Sequence, residues 1–256
     1  MKKILFLLGV ISSTMFAATP EQVDRYLLLS HSDEQLANLE TQFTQMQNRI
    51  VGDDGNITEY DTQMLTIRFK EKLQEEISDN EMDDILQNYK NPTLLKFVYE
   101  TSGGIDDPNA LRQYLSQIKT DPASKERIKI VEKINEVYSN KDGLTELYKS
   151  MFEPFIQKMI PGKKDPKKMK EMEKKYLDSM KEVYKMQLLY STRDFTKEEL
   201  DELLKVMKTP AMNHEIRATY GAIAYAMKDF MHTMVNRLEQ KFKERKKVKH
   251  NLNKNN

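Results

Sequence analysis

The sequence predicts an all-α protein: two degenerate tandem helical repeats packed as a helical bundle or array, with a connecting helix and a long C-terminal helix. Three observations carry this. Leu, Lys, Glu and Met dominate while glycine and proline number eight each, a composition that favours helix over strand. Apolar residues recur three and four apart along most of the chain. One stretch occurs twice, Ser78 to Pro92 and again Thr196 to Pro210, 118 positions later. Each copy opens with a hydroxyl residue and a Glu three places on (Ser78 and Glu81, Thr196 and Glu199), the capping box that satisfies free amides at a helix start. Met82, Ile85, Leu86 and Tyr89 in the first copy match Leu200, Leu203, Leu204 and Met207 in the second, and a proline closes each.

Taken in order, Met1-Lys2-Lys3, the apolar run Ile4 to Ile11 and the small residues ending at Ala17-Ala18 have the layout of a secretory signal peptide, residues 1–17, with cleavage after Ala17. The first repeat is expected over 18–104. Thr19-Pro20-Glu21-Gln22 reads as a capped start with proline at the first helical position, and Ser32-Asp33-Glu34-Gln35 as another. Leu36, Leu39, Phe43, Met46 and Ile50 then form a helical seam, Gly52 to Asn56 breaks it, and Tyr60, Met64, Ile67 and Leu73 mark a third helix. Ser102-Gly103-Gly104 ends the repeat. A connecting helix over 105–121 starts at Asp107-Pro108 and buries Leu111, Tyr114, Leu115 and Ile118.

The second repeat is expected over 122–240. Val131, Ile134 and Val137 echo Val23, Tyr26 and Leu29, and Leu144, Leu147 and Met151 echo Leu36, Leu39 and Phe43, all 108 positions on. Tyr176, Met180, Val183 and Leu189 echo Tyr60, Met64, Ile67 and Leu73 at 116, and the capping-box element follows at 118. The offset grows at Pro161 to Lys168, which reads as an inserted surface loop. Beyond Gly221 a last helix carries Ile223, Met227, Met231, Met234 and Leu238 on one face, and 241–256 is a basic tail, poor in apolar residues and expected to lack order.

Tyr184 and Tyr190 ahead of Phe195-Thr196-Lys-Glu-Glu-Leu-Asp-Glu-Leu, with Met207-Lys-Thr-Pro210 after it, resemble the bacterial exported family called domain of unknown function 2059. The resemblance covers residues 176–220, and 60–104 more weakly. Thr209 stands where that family usually has Ser, and Ala211-Met212-Asn213 replaces its usual Leu-Gly turn. What the resemblance implies is a helical protein in the periplasm of a Gram-negative bacterium. It implies no activity and no functional residues.

Absence of cysteine excludes disulfides, thiol catalysis and cysteine metal sites. No Gly-x-Ser-x-Gly elbow, phosphate loop or dinucleotide fingerprint occurs, and His31, His214, His232 and His250 have no metal-pair spacing. Gly55-Asn56-Ile57-Thr58-Glu59-Tyr60-Asp61 resembles half a calcium loop, but its first and third ligand positions fall on Ile50 and Gly52. Met227, Met231 and Met234 with His232 form the densest thioether cluster, whose spacing suits a core seam as well as soft Cu(I) ligands. No catalytic, cofactor-binding or metal-binding residue is therefore assigned.

Charge is polarised. Residues 19–107 hold 19 acidic and 7 basic side chains, net −12, and residues 108–256 hold 21 acidic and 32 basic, net +11. The expected function is a non-enzymatic, exported envelope interaction protein, not integral to the membrane and not a nucleic-acid binder. Its partner would be an envelope protein or an anionic envelope surface, met by the acidic half, by Lys163 to Lys175 and Lys241 to Lys249, or by a groove between the repeats. The alternatives are a small-ligand or Cu(I) carrier and a hydrolase working through carboxylates.

Overall fold

The computed structural model describes residues 17–51, 63–105, 107–159 and 165–254. The segment 55–61 that resembles half a calcium loop lies outside them, as do the leader up to residue 16 and residues 161–164 of the insertion. Among the described residues the protein is all-α, and its one β-type feature is an isolated bridge between Ala17 and Ser78.

Helix α1 (Pro20–Ser30) starts as expected: Gln22 N–H donates to Thr19 Oγ1 at 3.2 Å, and Gln22 Oε1 accepts from Thr19 N–H at 2.8 Å. Its end differs from expectation. His31, in the left-handed region at φ 52, is the whole break before α2 (Ser32–Val51), so Ser32 opens a helix turn and its hydroxyl pairs with Ser30 Oγ at 2.7 Å. Helix α3 (Gln63–Glu76) corrects the predicted register: Leu65, Phe69 and Leu73 are buried, whereas Met64 and Ile67 are exposed. Both stripes are apolar and helical, and only the packing partner chooses between them. Val183 is likewise exposed in the later helix.

The repeated motif forms α4 (Asp79–Asn88) and α11 (Lys197–Met207). Glu81 accepts from Ser78 N–H and Oγ–H at 3.0 and 2.6 Å, and Glu199 and Thr196 exchange both bonds of the box at 2.7 and 3.2 Å. The prolines do more than end these helices. Pro92 opens α5 (Pro92–Ser102) and Pro210 opens α12 (Pro210–Lys254), because a missing N–H is harmless at a first turn. Helix α6 (Pro108–Thr120) is the connector, capped by Asp107, and a 3-10 turn at Pro122–Ser124 leads into α7 (Lys125–Tyr138). Helices α8 (Lys141–Leu147) and α9 (Glu153–Met159) are joined by a π-type stretch, Tyr148–Phe152. Helix α10 (Pro166–Ser191) takes Asp165 as its cap, so Pro166 to Lys168 belong to a helix and not to a loop.

Helix α12 is the spine. It lies against α2, α3, α4, α8, α9 and α11, and it continues through Lys254, where disorder was expected. Lys, Glu and Arg are good helix formers, and no Gly or Pro interrupts 241–254, so a helix already nucleated by packing propagates through it. Ala218, Ala222, Ala224 and Ala226 are buried on α12 and let neighbours come close. The tightest approach is Gly143 of α8, where an added Cβ would sit 2.6 Å from the Cβ and ring of Tyr220. Most buried side chains form one core, with a smaller cluster of Leu144, Leu147, Leu177, Tyr220 and Ala224 beside it. No described helix is long and apolar enough to cross a membrane.

Leu203 is fully buried, so Leu203→Ala should lower stability in denaturant melts by roughly 2 to 5 kcal/mol, and Thr196→Ala, losing a cap, by about 1 kcal/mol. Gly143→Ala should cost about 1 to 3 kcal/mol by overpacking, although alanine is the better helix former. An unchanged melt for Gly143→Ala would mean that α8 and α12 are not in contact there.

Candidate functional site: a tyrosine-lined cavity around Glu215

A partly open cavity of about 290 Å³ lies between α1, α2, α4, α5, α7, α10, α11 and α12. Its walls follow the repeated motif. Leu94, Phe97, Val98 and Thr101 line one side, and Met212, Glu215, Ile216 and Thr219, each 118 positions later, line the other. Tyr89 and Met207, also 118 apart, both reach it. The cavity thus sits between two segments, residues 89–101 and 207–219, whose lining residues lie 118 positions apart.

Glu215 is the one residue with a formal charge among those lining the cavity. It projects from the buried face of α12 and is 5% exposed. Tyr89, at the end of α4, donates its hydroxyl to Glu215 Oε1 at 2.5 Å, whereas Oε2 has no hydrogen-bond partner. Burial pushes this carboxyl up to about 7, against the opposing influence of the Tyr89 and Tyr26 hydroxyls. Tyr26 of α1 meets Tyr89 edge-to-face, ring centroids 5.8 Å apart, and its hydroxyl shares a hydrogen with Thr219 Oγ1 at 3.3 Å.

Further tyrosines close the opposite wall. Tyr138 of α7 stands edge-to-face with Phe97 and with Tyr184 of α10, at 6.1 and 5.6 Å, and Tyr220 donates to the Tyr138 carbonyl at 3.2 Å. Gly143 is what leaves room for the Tyr220 ring. Burial raises every one of these phenols: Tyr138 to about 12, and Tyr26, Tyr89, Tyr184 and Tyr220 above their ordinary value. They therefore stay neutral and hydrogen-bonding at physiological pH. The hinge at His31 turns Ser30 and Ser32 toward the cavity, and the exposed Gln35 stands at its rim. A smaller hollow of about 70 Å³, bordered by Gly104 and Gln187, shares Thr101, Tyr138 and Tyr184 with it.

The residues singled out from sequence fall elsewhere. Met227, Met231 and Met234 are packed in the core while His232 on the same helix is exposed, so the histidine does not share the buried face of the methionines. His214 Nδ1 lies 2.9 Å from Glu81 Oε1, linking α12 to α4, and His31 lies 3.4 Å from Glu34. Among the described residues no three His, Asp or Glu side chains form a metal-holding group. Sequence reasoning missed Glu215, although a signal existed: it falls on the Met212, Ile216, Thr219, Ile223 stripe, where a core helix should carry apolar residues, and it stands opposite Phe97 in the other copy.

No family model, curated protein or solved structure matches this chain.

Glu215 makes a prediction about stability. Its carboxyl holds a proton more tightly folded than unfolded, so its contribution is fully present below about pH 4.5 and is lost as pH rises through 7. Relative to Glu215→Gln, which cannot titrate, the wild type should lose about 2 kcal/mol between pH 5 and pH 8. Urea melts of both proteins at the two pH values measure this, and parallel pH profiles would place the carboxyl in water.

Proposed function

We propose that this is an exported, non-enzymatic binding protein that takes a small organic ligand into the cavity between the two copies of the motif. The observation that carries the reading is the unpartnered Oε2 of Glu215 beside a roomy, tyrosine-rich space. Leaving a buried polar atom unpaired costs about 1 to 3 kcal/mol, and a cavity forfeits packing as well. A sequence selected for stability alone would fill the space with one larger side chain. At about 290 Å³ the cavity lies at the small end of ligand pockets, which run from about 300 to 1,000 Å³. Turnover is disfavoured because Glu215 has no second carboxyl or imidazole among the lining residues to act with it. Export rests on the leader and on the family resemblance.

Ligand-observed NMR with a mixed fragment library tests this reading, using wild type and Ile216→Trp, which would occupy the cavity from its wall. Fragments should bind the wild type at one mutually competitive site and lose that binding in a folded Ile216→Trp. Fragments that bind neither protein, or both alike, would overturn it.

A second reading concerns the outside of the molecule. Lys167, Lys168, Lys170, Lys174 and Lys175 are exposed near the start of α10, whose first turn has no acidic residue. Cations there oppose the helix dipole, so helix stability is not what places them. Ion pairs between the two charge-polarised halves include Arg68–Asp229 and Lys96–Glu199, in which the acidic half supplies the cation. We propose that this basic end of α10 meets an anionic envelope surface. Flotation with anionic vesicles should show binding at 0.01 M salt that fades by 0.15 M, as the Debye length falls from about 30 to about 8 Å. The combined change Lys167→Glu, Lys168→Glu and Lys170→Glu should abolish it, and binding indifferent to both would exclude the surface.

A further inference from the structure

We propose that the ligand of the cavity is a small organic cation, an alkyl- or arylammonium whose charged head sits at Oε2 of Glu215 among the tyrosines and whose apolar body lies along Leu94, Phe97 and Met212. This rests on the cavity being a ligand site, and it adds the ligand's charge.

Glu215 is anchored at one oxygen by Tyr89 and bare at the other, and it is 95% buried, the complement of its 5% exposure. The lining contains no Lys, Arg or His to balance it. An ionised carboxylate in such a place therefore lacks a cation that the protein does not supply. An ammonium would supply the charge and also donate to the bare oxygen, a charge-assisted hydrogen bond. Around it stand Tyr26, Tyr89, Tyr138, Tyr184 and Tyr220, whose electron-rich rings favour cations. An anionic ligand would meet a like charge, and a neutral one would use only the hydrogen-bonding capacity of the site. A divalent metal fits poorly, since the lining offers one carboxylate where calcium takes six to eight oxygens.

Proton balance follows from the same geometry. The empty site favours a protonated Glu215, so seating an ammonium below pH 7 expels that proton: the carboxylic acid and the alkylammonium give a carboxylate–alkylammonium pair and one proton in solvent. Other groups facing Glu215 do not titrate in this range. Tyr26 on α1, Tyr89 at the end of α4, Tyr138 on α7 and Tyr184 and Tyr220 behind them are phenols raised by burial, and Ser30, Ser32, Gln35, Thr101 and Thr219 are neutral. His214, the residue before Glu215 on α12, pairs with Glu81 and is not among the cavity's lining residues.

Calorimetric titration of the full chain with 2-phenylethylammonium, 2-phenylethanol and 3-phenylpropanoate separates the possibilities, because the three share a body and differ in charge. At pH 8 the ammonium should bind at least about tenfold more tightly than the alcohol, and the carboxylate least. Its affinity should fall about tenfold for each pH unit below 7, with about one proton released per ligand at pH 6. Glu215→Gln should erase the preference and the pH slope while retaining the alcohol, which also shows that the variant folds; His214→Gln should keep both. Equal binding of alcohol and ammonium, or an ammonium affinity untouched by Glu215→Gln, overturns the cation and leaves the cavity as a neutral-ligand site. Failure of all three to bind the wild type overturns both.

Discussion

One helix, packed against both α4 and α11, constrains everything else. At 1.5 Å per residue the 45 residues of α12 extend about 68 Å, and its described neighbours come from both ends of the chain. Its buried face must suit partners as far away in sequence as Tyr26, 193 positions from Thr219, and as near as Tyr138, 82 positions from Tyr220. Small residues solve the problem where helices crowd in, at Ala218, Ala222 and Ala226, and larger ones take over at Met227, Phe230, Met231 and Met234. Gly143 does the same from the other side, because it lets α8 reach the Tyr220 ring. In the turns near Pro210 the rule is relaxed, and Glu215 and Thr219 take positions that elsewhere on α12 are apolar.

That relaxation has a physical consequence. A carboxyl removed from water must lose its proton at a cost, keep it, or find partners. Here Tyr89 donates to one oxygen and the other has no hydrogen-bond partner, and burial raises the carboxyl to about 7, so it keeps its proton below neutral pH and loses it above. Tyrosine suits such a wall better than phenylalanine because its ring buries apolar area while its hydroxyl can donate to an acid or accept from a guest. Tyr26 and Tyr220 show the habit: each hydroxyl is engaged within the wall, by Thr219 and by the Tyr138 carbonyl, which holds the rings in place. The cavity is also bordered by the partly exposed Ser32 and Thr101 and by the exposed Gln35.

What could be read in the sequence was whatever is decided locally. Helix starts at Thr19, Ser78, Asp107 and Thr196 follow from side chains within three residues of the amides they satisfy, so spacing alone locates them. Register is another matter. In α3 the choice between Met64–Ile67 and Leu65–Phe69–Leu73 is made by α12, far away in sequence, and nothing local distinguishes the stripes. The break before α2 depends on His31 taking a left-handed conformation that histidine tolerates but does not advertise. As for the site, its walls were legible as core positions, but a cavity is the absence of contact, and periodicity reports only which face is buried. Placing the two copies side by side would have exposed the anomaly: Phe97 corresponds to Glu215, an aromatic core residue to a charged one.

This pairing of Phe97 with Glu215 also explains why a cavity forms at that junction and not elsewhere. Two helices carrying bulky apolar residues at matched positions would meet across the interface and close it, as α11 does on α7 with Leu200, Leu203 and Val206 buried. Exchanging one ring for a carboxyl removes volume and adds a group that cannot make dispersion contacts without losing hydration. Phe97, Leu94 and Met212, otherwise packed in the core, line the space that remains, and Tyr89 turns its hydroxyl toward the acid. A guest that brings both an apolar body and a positive charge restores each missing interaction at once, the packing on the Phe97 side and the counter-charge on the Glu215 side. A guest with only one of these would leave the other deficit standing, which is why the charge of the ligand follows from the asymmetry between the copies.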